Sequence, residues 1–353
     1  MGVEITLSGE LGPFNETLLA KLKRYFSPKI LFAGYFLDTR LSKAISVGKP
    51  IHYFEKDALI YSLSAIPYEL EELVYYLHML RENLGDASII PTMVVSDALT
   101  LKEYVERLSE EKCIAGIEID VSLQRYAYTK MFNYSPKAVQ VLHETLDTAL
   151  RMKKEGVVEK LFIKGDIDAL TVSGMLRKTS LKTDICVIFS DSTIIEHEGR
   201  VTKVFRPTPP SLILTFRKLF STKGSKLSLG ISPNSRNIPD ILEAVAILKS
   251  SQKEEKIYVQ LFYPIIAQGY PFIGQLLEEL RKKEYIFSAK YNTVIVDEEL
   301  CTLCEKCITI CPYNALRRKG STIEVHDKKC TACGACIVQC PTGALKPAFL
   351  VSP

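Results

Sequence analysis

The chain has 353 residues, 47% of them hydrophobic, with 45 basic and 41 acidic side chains. That length exceeds one ordinary domain and leaves ample apolar material for a core, so a large domain with a small appended one is expected. No apolar run reaches the length of a membrane span and no secretory pattern precedes the first strand, and eight cysteines in a repeated close spacing with two in apolar runs lead to the expectation of a reducing cytoplasm.

In chain order, Val3–Leu7 alternates as a strand and runs into a turn-rich loop, Ser8 to Pro13. Asn15 is expected to cap a helix with Leu18, Leu19, Leu22, Tyr25 and Phe26 on one face. Ile30–Phe32 reads as a second strand. The stretch from Arg40 to Ile66 is irregular apart from the strand-like Ala58–Leu63. Glu69–Leu84 reads as a helix closed by Gly85. Strand Ser88–Val95, a helix capped by Thr100, strand Ala115–Val121 and helix Ser135–Lys154 follow. Next come strand Lys160–Lys164, a helix around Ala169–Lys178, strand Asp184–Phe189 and a helix opening at Pro209 and Pro210. Strand Leu227–Ile231, a helix capped by Asn237, strand Lys256–Leu261 and helix Pro271–Glu284 complete the series.

Apolar strands alternating with helices predict a parallel sheet covered by helices. About eight such units over about 290 residues predict a (β/α)8 barrel, TIM-like, rather than an open sheet. No GxGxxG follows the first strand and no GxxxxGK[ST] is present, so dinucleotide and P-loop readings lack support. The expected division is a barrel over 1–290 and a small α+β domain over 291–353.

The small domain carries the strongest signal. Cys301, Cys304, Cys307 and Cys311, with Pro312, spell C-x2-C-x2-C-x3-C-P, and Cys330, Cys333, Cys336, Cys340 and Pro341 repeat it. This is the spacing of a bacterial two-cluster ferredoxin. Three cysteines two residues apart wrap three corners of an Fe4S4 cube, and the fourth, one helical turn on, points to the other cube. Cys301, Cys304, Cys307 and Cys340 are therefore expected to hold one [4Fe–4S] cluster, and Cys330, Cys333, Cys336 and Cys311 the other. Zinc knuckles do not need the x3-C-P tail twice, and disulfides suit neither this spacing nor a reducing compartment. Cys113 and Cys186 sit in apolar runs and read as buried thiols.

Residues 301–353 hold seven basic side chains against three acidic, while the remainder is balanced at 38 of each. All the positive excess thus lies beside clusters whose thiolate-bound cubes are anionic, which argues against a nucleic-acid partner.

The barrel resembles the dihydroorotate/dihydropyrimidine dehydrogenase family. Ile5–Gly9 is similar to that family's opening strand end, Gly116–Ser122 to its G-x-E-x-N-x-S motif, Phe162–Lys164 to the strand whose lysine meets the flavin, and Tyr258–Pro264 to its last strand. The resemblance implies an FMN-binding barrel with Lys164 as a cofactor contact. The sequence departs from it in four places. The two glycine-rich phosphate turns read Leu229–Pro233 and Gln260–Pro264, so backbone donors that cradle a phosphate are lost. Asp120 replaces the motif asparagine. The loop expected over Leu123–Tyr134 has no Cys or Ser base, and Tyr128 and Thr129 are the hydroxyls considered in its place. The early flavin-contacting lysine is lost at Phe32–Gly34. Two readings follow. In the first, the barrel is a degenerate scaffold, and the chain is the iron–sulfur electron-transfer subunit of a hetero-oligomer with a flavoprotein, of dihydroorotate dehydrogenase type. In the second, it is a self-sufficient FMN oxidoreductase that feeds its own clusters.

Overall fold

The computed structural model describes residues 3–45, 52–55, 58–63, 65–67, 69–175, 185–220, 227–249, 256–282, 294–311, 313–326, 329–330 and 335–347. The expected boundary at residue 290, Cys333 and Pro312 lie outside these residues. The strands are β1 (Val3–Leu7), β2 (Ile30–Leu37), β3 (His52–Glu55), β4 (Ala58–Ser62), β5 (Ala65–Pro67), β6 (Ser88–Val94), β7 (Gly116–Asp120), β8 (Lys160–Gly165), β9 (Ile185–Ser190), β10 (Ser192–His197), β11 (Arg200–Phe205), β12 (Leu227–Ser232), β13 (Ile257–Leu261), β14 (Val294–Val296), β15 (Leu316–Lys319), β16 (Thr322–Val325) and β17 (Leu345–Pro347).

Strands β1, β2, β6, β7, β8, β9, β12 and β13 pair in parallel in that order, and β13 returns to β1. The sheet is therefore a closed eight-stranded barrel with helices outside, as the alternation predicts. Parity divides its side chains. Ile163, Val187, Leu229 and Val259 face the helices and join the main core, which includes Leu73, Leu77 and Leu80 of helix Leu70–Leu84. Ile30, Phe32, Ile90, Phe162, Cys186, Ile188 and Tyr258 face inward and fill the N-terminal part of the barrel. Phe162 meets Phe32 and Tyr258 edge-on at 5.0 and 5.3 Å. Towards the C-terminal ends the inward positions turn polar.

One local irregularity positions the site. The β2–β6 register slips between Phe32 and Tyr35, where Gly34 has φ +131°. Regular alternation after Phe32 would turn Tyr35 outward; the bulge turns it into the barrel.

Three expectations need correction. Asp97, not Thr100, caps helix Ala98–Glu110, its carboxylate accepting the Thr100 N–H at 2.8 Å. Asp accepts from N–H groups two or three residues on as readily as Thr does, so the pattern left the cap ambiguous. The segment read as a loop over 123–134 is mostly helix Val121–Met131, capped by Asp120. The third is an unforeseen hairpin, β10–β11, turned by Glu198 and Gly199, both at positive φ. It joins β4 and β3 in a four-stranded antiparallel sheet. Leu59, Tyr61, Val201 and Phe205 of this sheet form a second core with Tyr35, Val94, Phe262 and Tyr263 from the barrel's C-terminal end. The sheet is a lid over the mouth.

In the cysteine-rich part, β14 pairs with β17 and β15 with β16, both antiparallel, around short helices Lys306–Ile310 and Ala335–Gln339. Cys113 and Cys186 are buried, as expected.

Gly116 opens β7 where a Cβ would stand 2.0 Å from the Lys160 carbonyl oxygen. Both atoms belong to paired backbone, so neither can yield without breaking the β7–β8 ladder. Gly116→Ala should lower stability by about 2–3 kcal/mol, seen as a lower thermal midpoint, whereas Gly274→Ala, with nothing within 4 Å, should leave it unchanged or raise it.

Candidate functional site

The second repeat brings one cysteine, Cys340, to the three of the first. Cys301 and Cys304 lie on the loop entering helix Lys306–Ile310 and Cys307 in its first turn, and Leu303 and Glu305, at φ 56° and 58°, curl that loop tightly. Cys340 arrives from the other repeat, after helix Ala335–Gln339, and all four line one cavity with Val296, Ile323 and Leu345. Four thiols line it, with Thr302, Glu305 and Thr342 beside them and otherwise apolar walls, a surrounding that fits a thiolate-held cluster. Burial pushes the Cys307 thiol up, and Cys301 and Cys304 beside it push it further. Crowded sulfurs of this kind ionise together only if cations neutralise them, and metal supplies those cations. Burial would also raise Cys340, but the Thr342 hydroxyl and the backbone N–H groups of Thr342, Leu345 and Ala344 outweigh it and hold that thiol below its usual range. Cys311 accepts the Ala315 N–H at 3.3 Å. Cys330 packs against both the barrel's main core and the small domain's core, which contains Cys336.

The barrel mouth holds a second, unforeseen cluster of charges. Lys164, at the end of β8, is fully buried and donates to both carboxylate oxygens of Glu10 at 2.7 and 2.8 Å and to Ser8 Oγ at 2.8 Å. Lys203 descends from the lid strand β11, also fully buried. It donates to Glu10 Oε1 at 2.9 Å, Asp120 Oδ2 at 2.5 Å and the Tyr35 hydroxyl at 2.8 Å. All three of its N–H bonds are used, and the Tyr35 hydroxyl in turn reaches Asp120 and Glu10. The Tyr61 hydroxyl, from lid strand β4, donates to the Glu10 carbonyl at 2.7 Å.

The charges fix each other. Burial would raise the Glu10 pKa, but Lys164 and Lys203 hold it well below the usual carboxylate range. Burial would lower Lys203, and Asp120 and Glu10 raise it instead. Burial drives Tyr35 far up, so its proton stays. Glu118, one turn deeper, accepts from Thr92 Oγ1 at 2.8 Å and from Gln260 Nε2 at 2.5 Å. Burial raises it to about 7, against the pull of Lys164. Two ammonium groups thus face two carboxylates, and Glu118 is the fifth charge that titrates.

Lys164, the residue on which the FMN expectation turned, therefore has its donors taken by the chain itself. The side chains expected to offer hydroxyls do not meet it. Tyr128 is buried and hydrogen-bonded to Thr145 at 2.7 Å, and Thr129 donates to the Arg125 carbonyl. Phe262 and Tyr263, in the second phosphate turn of the resemblance, pack on Tyr61 at 4.8 Å and Phe54 at 5.6 Å beneath the lid. Glu10, Tyr35, Glu118 and Lys203 escaped sequence reasoning. The one usable signal was Glu198-Gly199 between two alternating runs, which marks a tight hairpin.

Residues 293–341 match the 4Fe-4S dicluster domain family; this part of the chain is a 4Fe–4S iron–sulfur domain. No curated protein matches the chain. The solved structure of a type I 3-dehydroquinate dehydratase from Clostridium difficile, with covalently modified comenic acid, is similar over 80% of this chain and 94% of that one. Its TM-score is 0.42 at 12% identity, a distance at which nothing about activity transfers.

Two outcomes test the mouth. Glu118 ionises near 7 when folded and near 4.5 when unfolded. The folded state keeps the proton longer, so this group destabilises the fold progressively as pH rises from 4.5 to 7, by about 3 kcal/mol in total. Glu118→Gln should flatten that fall and raise the thermal midpoint at pH 8. Lys203→Met strands Glu10 and Asp120 beside one remaining ammonium and should destabilise by about 3–5 kcal/mol. Denaturant titration of both variants checks this.

Proposed function

We propose that the chain is the iron–sulfur electron-transfer subunit of a flavoenzyme, with a dihydroorotate dehydrogenase as the partner that the barrel resemblance favours. In this reading Cys301, Cys304, Cys307 and Cys340 hold one [4Fe–4S] cluster, and Cys330, Cys333, Cys336 and Cys311 hold the second. Bound clusters supply one-electron acceptor and donor sites. The chain's own residues set their surroundings: the N–H groups at Thr342, Ala344 and Leu345 stabilise charge on the Cys340 sulfur, and the one on Ala315 does so at Cys311.

The observation that carries the reading is the contrast between the two halves. Every cysteine of the duplicated motif is present, while the barrel mouth is filled by Lys203, Glu10 and Tyr35 under the lid. A flavin ring over Lys164 would have to displace Lys203, leaving buried Asp120 without its ammonium and Glu10 with Lys164 alone, which is strongly unfavourable. Electrons must then enter from another protein.

The geometry also refines how that protein is met. Arg317 and Lys319 are paired with Glu324, and Arg318 with Glu305, so much of the basic rim is already neutralised. Cys304 is exposed, as are Ile310 at 43% and Tyr313 at 48%. Apolar contact beside the cluster, more than charge, should hold the partner.

Anaerobically prepared chain should contain about eight iron atoms and about eight acid-labile sulfides. Cys301→Ala and Cys330→Ala should each abolish a different cluster signal in EPR of the reduced protein. Tightly bound zinc instead would overturn the cluster assignment. Dihydroorotate should bleach the clusters only when the partner flavoprotein is added. Bleaching by this chain alone, with stoichiometric FMN that Lys164→Ala weakens, would favour the self-sufficient oxidoreductase. No bleaching with the partner would remove dihydroorotate as the electron source.

A further inference from the structure

We propose that the cavity at the C-terminal end of β12 binds a small organic cation, an ammonium or guanidinium group carried on a short apolar chain. The cavity has a volume of about 380 Å³ and lies between the loop after β11, the loop after β12 and the first turns of helix Ile238–Lys249. This inference stands apart from the electron-transfer reading, since it concerns neither the clusters nor the sealed mouth.

The first observation is an unpaired acceptor. Asn234 lines the cavity and is 2% exposed. Its Nδ2 donates to the Asp191 carbonyl at 2.5 Å, which fixes the amide, because the reversed orientation would set two oxygens against each other. Its Oδ1 is buried and finds no donor among the described residues. A buried acceptor left this way is destabilising, and a ligand N–H removes that cost.

The second observation is charge. Asp240 and Glu243 line the cavity and no basic side chain does. Burial, and then Asp240, push the Glu243 carboxyl up, as happens where a carboxylate lacks a nearby cation. Ser235 Oγ donates to Asp240 at 2.5 Å, which leaves Glu243 as the principal attraction for an incoming cation.

The third is the lack of donors. Barrels of this class commonly hold a phosphate in the loops after strands seven and eight, on backbone N–H groups. Here β12 is the seventh strand of the barrel, but Pro207, Pro209, Pro210 and Pro233 line the cavity and have no N–H to give. A phosphate would meet two carboxylates and few donors. An ammonium or guanidinium group meets acceptors, and Ile213, Ile231 and the proline rings cover its hydrocarbon chain.

The test is isothermal titration of the cluster-loaded full chain with agmatine, with inorganic phosphate and FMN as comparators. Agmatine should bind saturably at one site with sub-millimolar affinity, and phosphate should not displace it. Glu243→Gln should weaken binding about tenfold while the thermal midpoint stays unchanged or rises, since the variant removes a poorly solvated carboxylate. Asp240→Asn, at a more exposed position, should weaken it by a smaller factor and serves if the first variant does not fold. No saturation below about 10 mM, equal affinity in both variants, or competition by phosphate would overturn the proposal and leave Asn234 satisfied by water alone.

Discussion

The buried ammonium of Lys203 is the contact on which the barrel's closure depends. It hangs from the lid and spends its three N–H bonds on Glu10, Asp120 and Tyr35, groups that come from three separate strand ends. A buried ion pair of this kind adds little net stability, because desolvation offsets most of the attraction. Its effect is on specificity. Lys203 shares the inner face of the lid with Val201 and Phe205, and a slip of one residue in β11 would present Thr202 or Val204 instead. That slip would leave Glu10 and Asp120 facing a single ammonium. The register of the lid and the ionisation of the mouth are therefore one constraint.

That constraint decides what the barrel can do. The C-terminal end of a (β/α)8 barrel is where the fold places its chemistry, and here the axis is occupied by the chain's own charges. Lys164, for which the family resemblance implies a flavin contact, is paired with Glu10 and Ser8 instead. What remains open at this end is off the axis, between the loops. On the proposed reading, the barrel gives the iron–sulfur domain a folded support, and Cys330, packed against the main core as well as its own, is where the two meet.

The features legible in the sequence were those encoded locally. Continuous apolar runs such as Ile185–Phe189 announce a strand buried on both faces, and the cysteine spacing announces a loop geometry within a dozen residues. The Asn15 cap was readable because donor and acceptor lie three residues apart. The network in the mouth joins residues 10, 35, 118, 120, 164 and 203, and apart from Glu118 and Asp120 on β7 its charges lie tens of residues apart. Tyr35 reaches it only through the bulge at Gly34, which inverts the parity that alternation assigns. Helix Val121–Met131 was hidden for a different reason. Its buried face includes Ser122 and Gln124, so the hydrophobic period is weak, and a resemblance to a catalytic loop prevailed over it.

The paired rim charges bear on how electrons would reach the clusters. Exposed ion pairs of Arg317, Arg318 and Lys319 with Glu324 and Glu305 hold the basic groups close to compensating carboxylates, so their field fades within a few ångströms of the surface in salt. Long-range steering is then weak, and the encounter rate stays in the ordinary range for docking of neutral patches. Productive coupling needs the partner held long enough for transfer, which favours a lasting subunit contact over a passing collision. Ile310 and Tyr313, exposed on the same small domain as Cys304, would supply apolar area for such a contact. On the proposed reading a domain built in this way is suited to lasting association, and the lidded barrel beside it offers such a partner a folded surface.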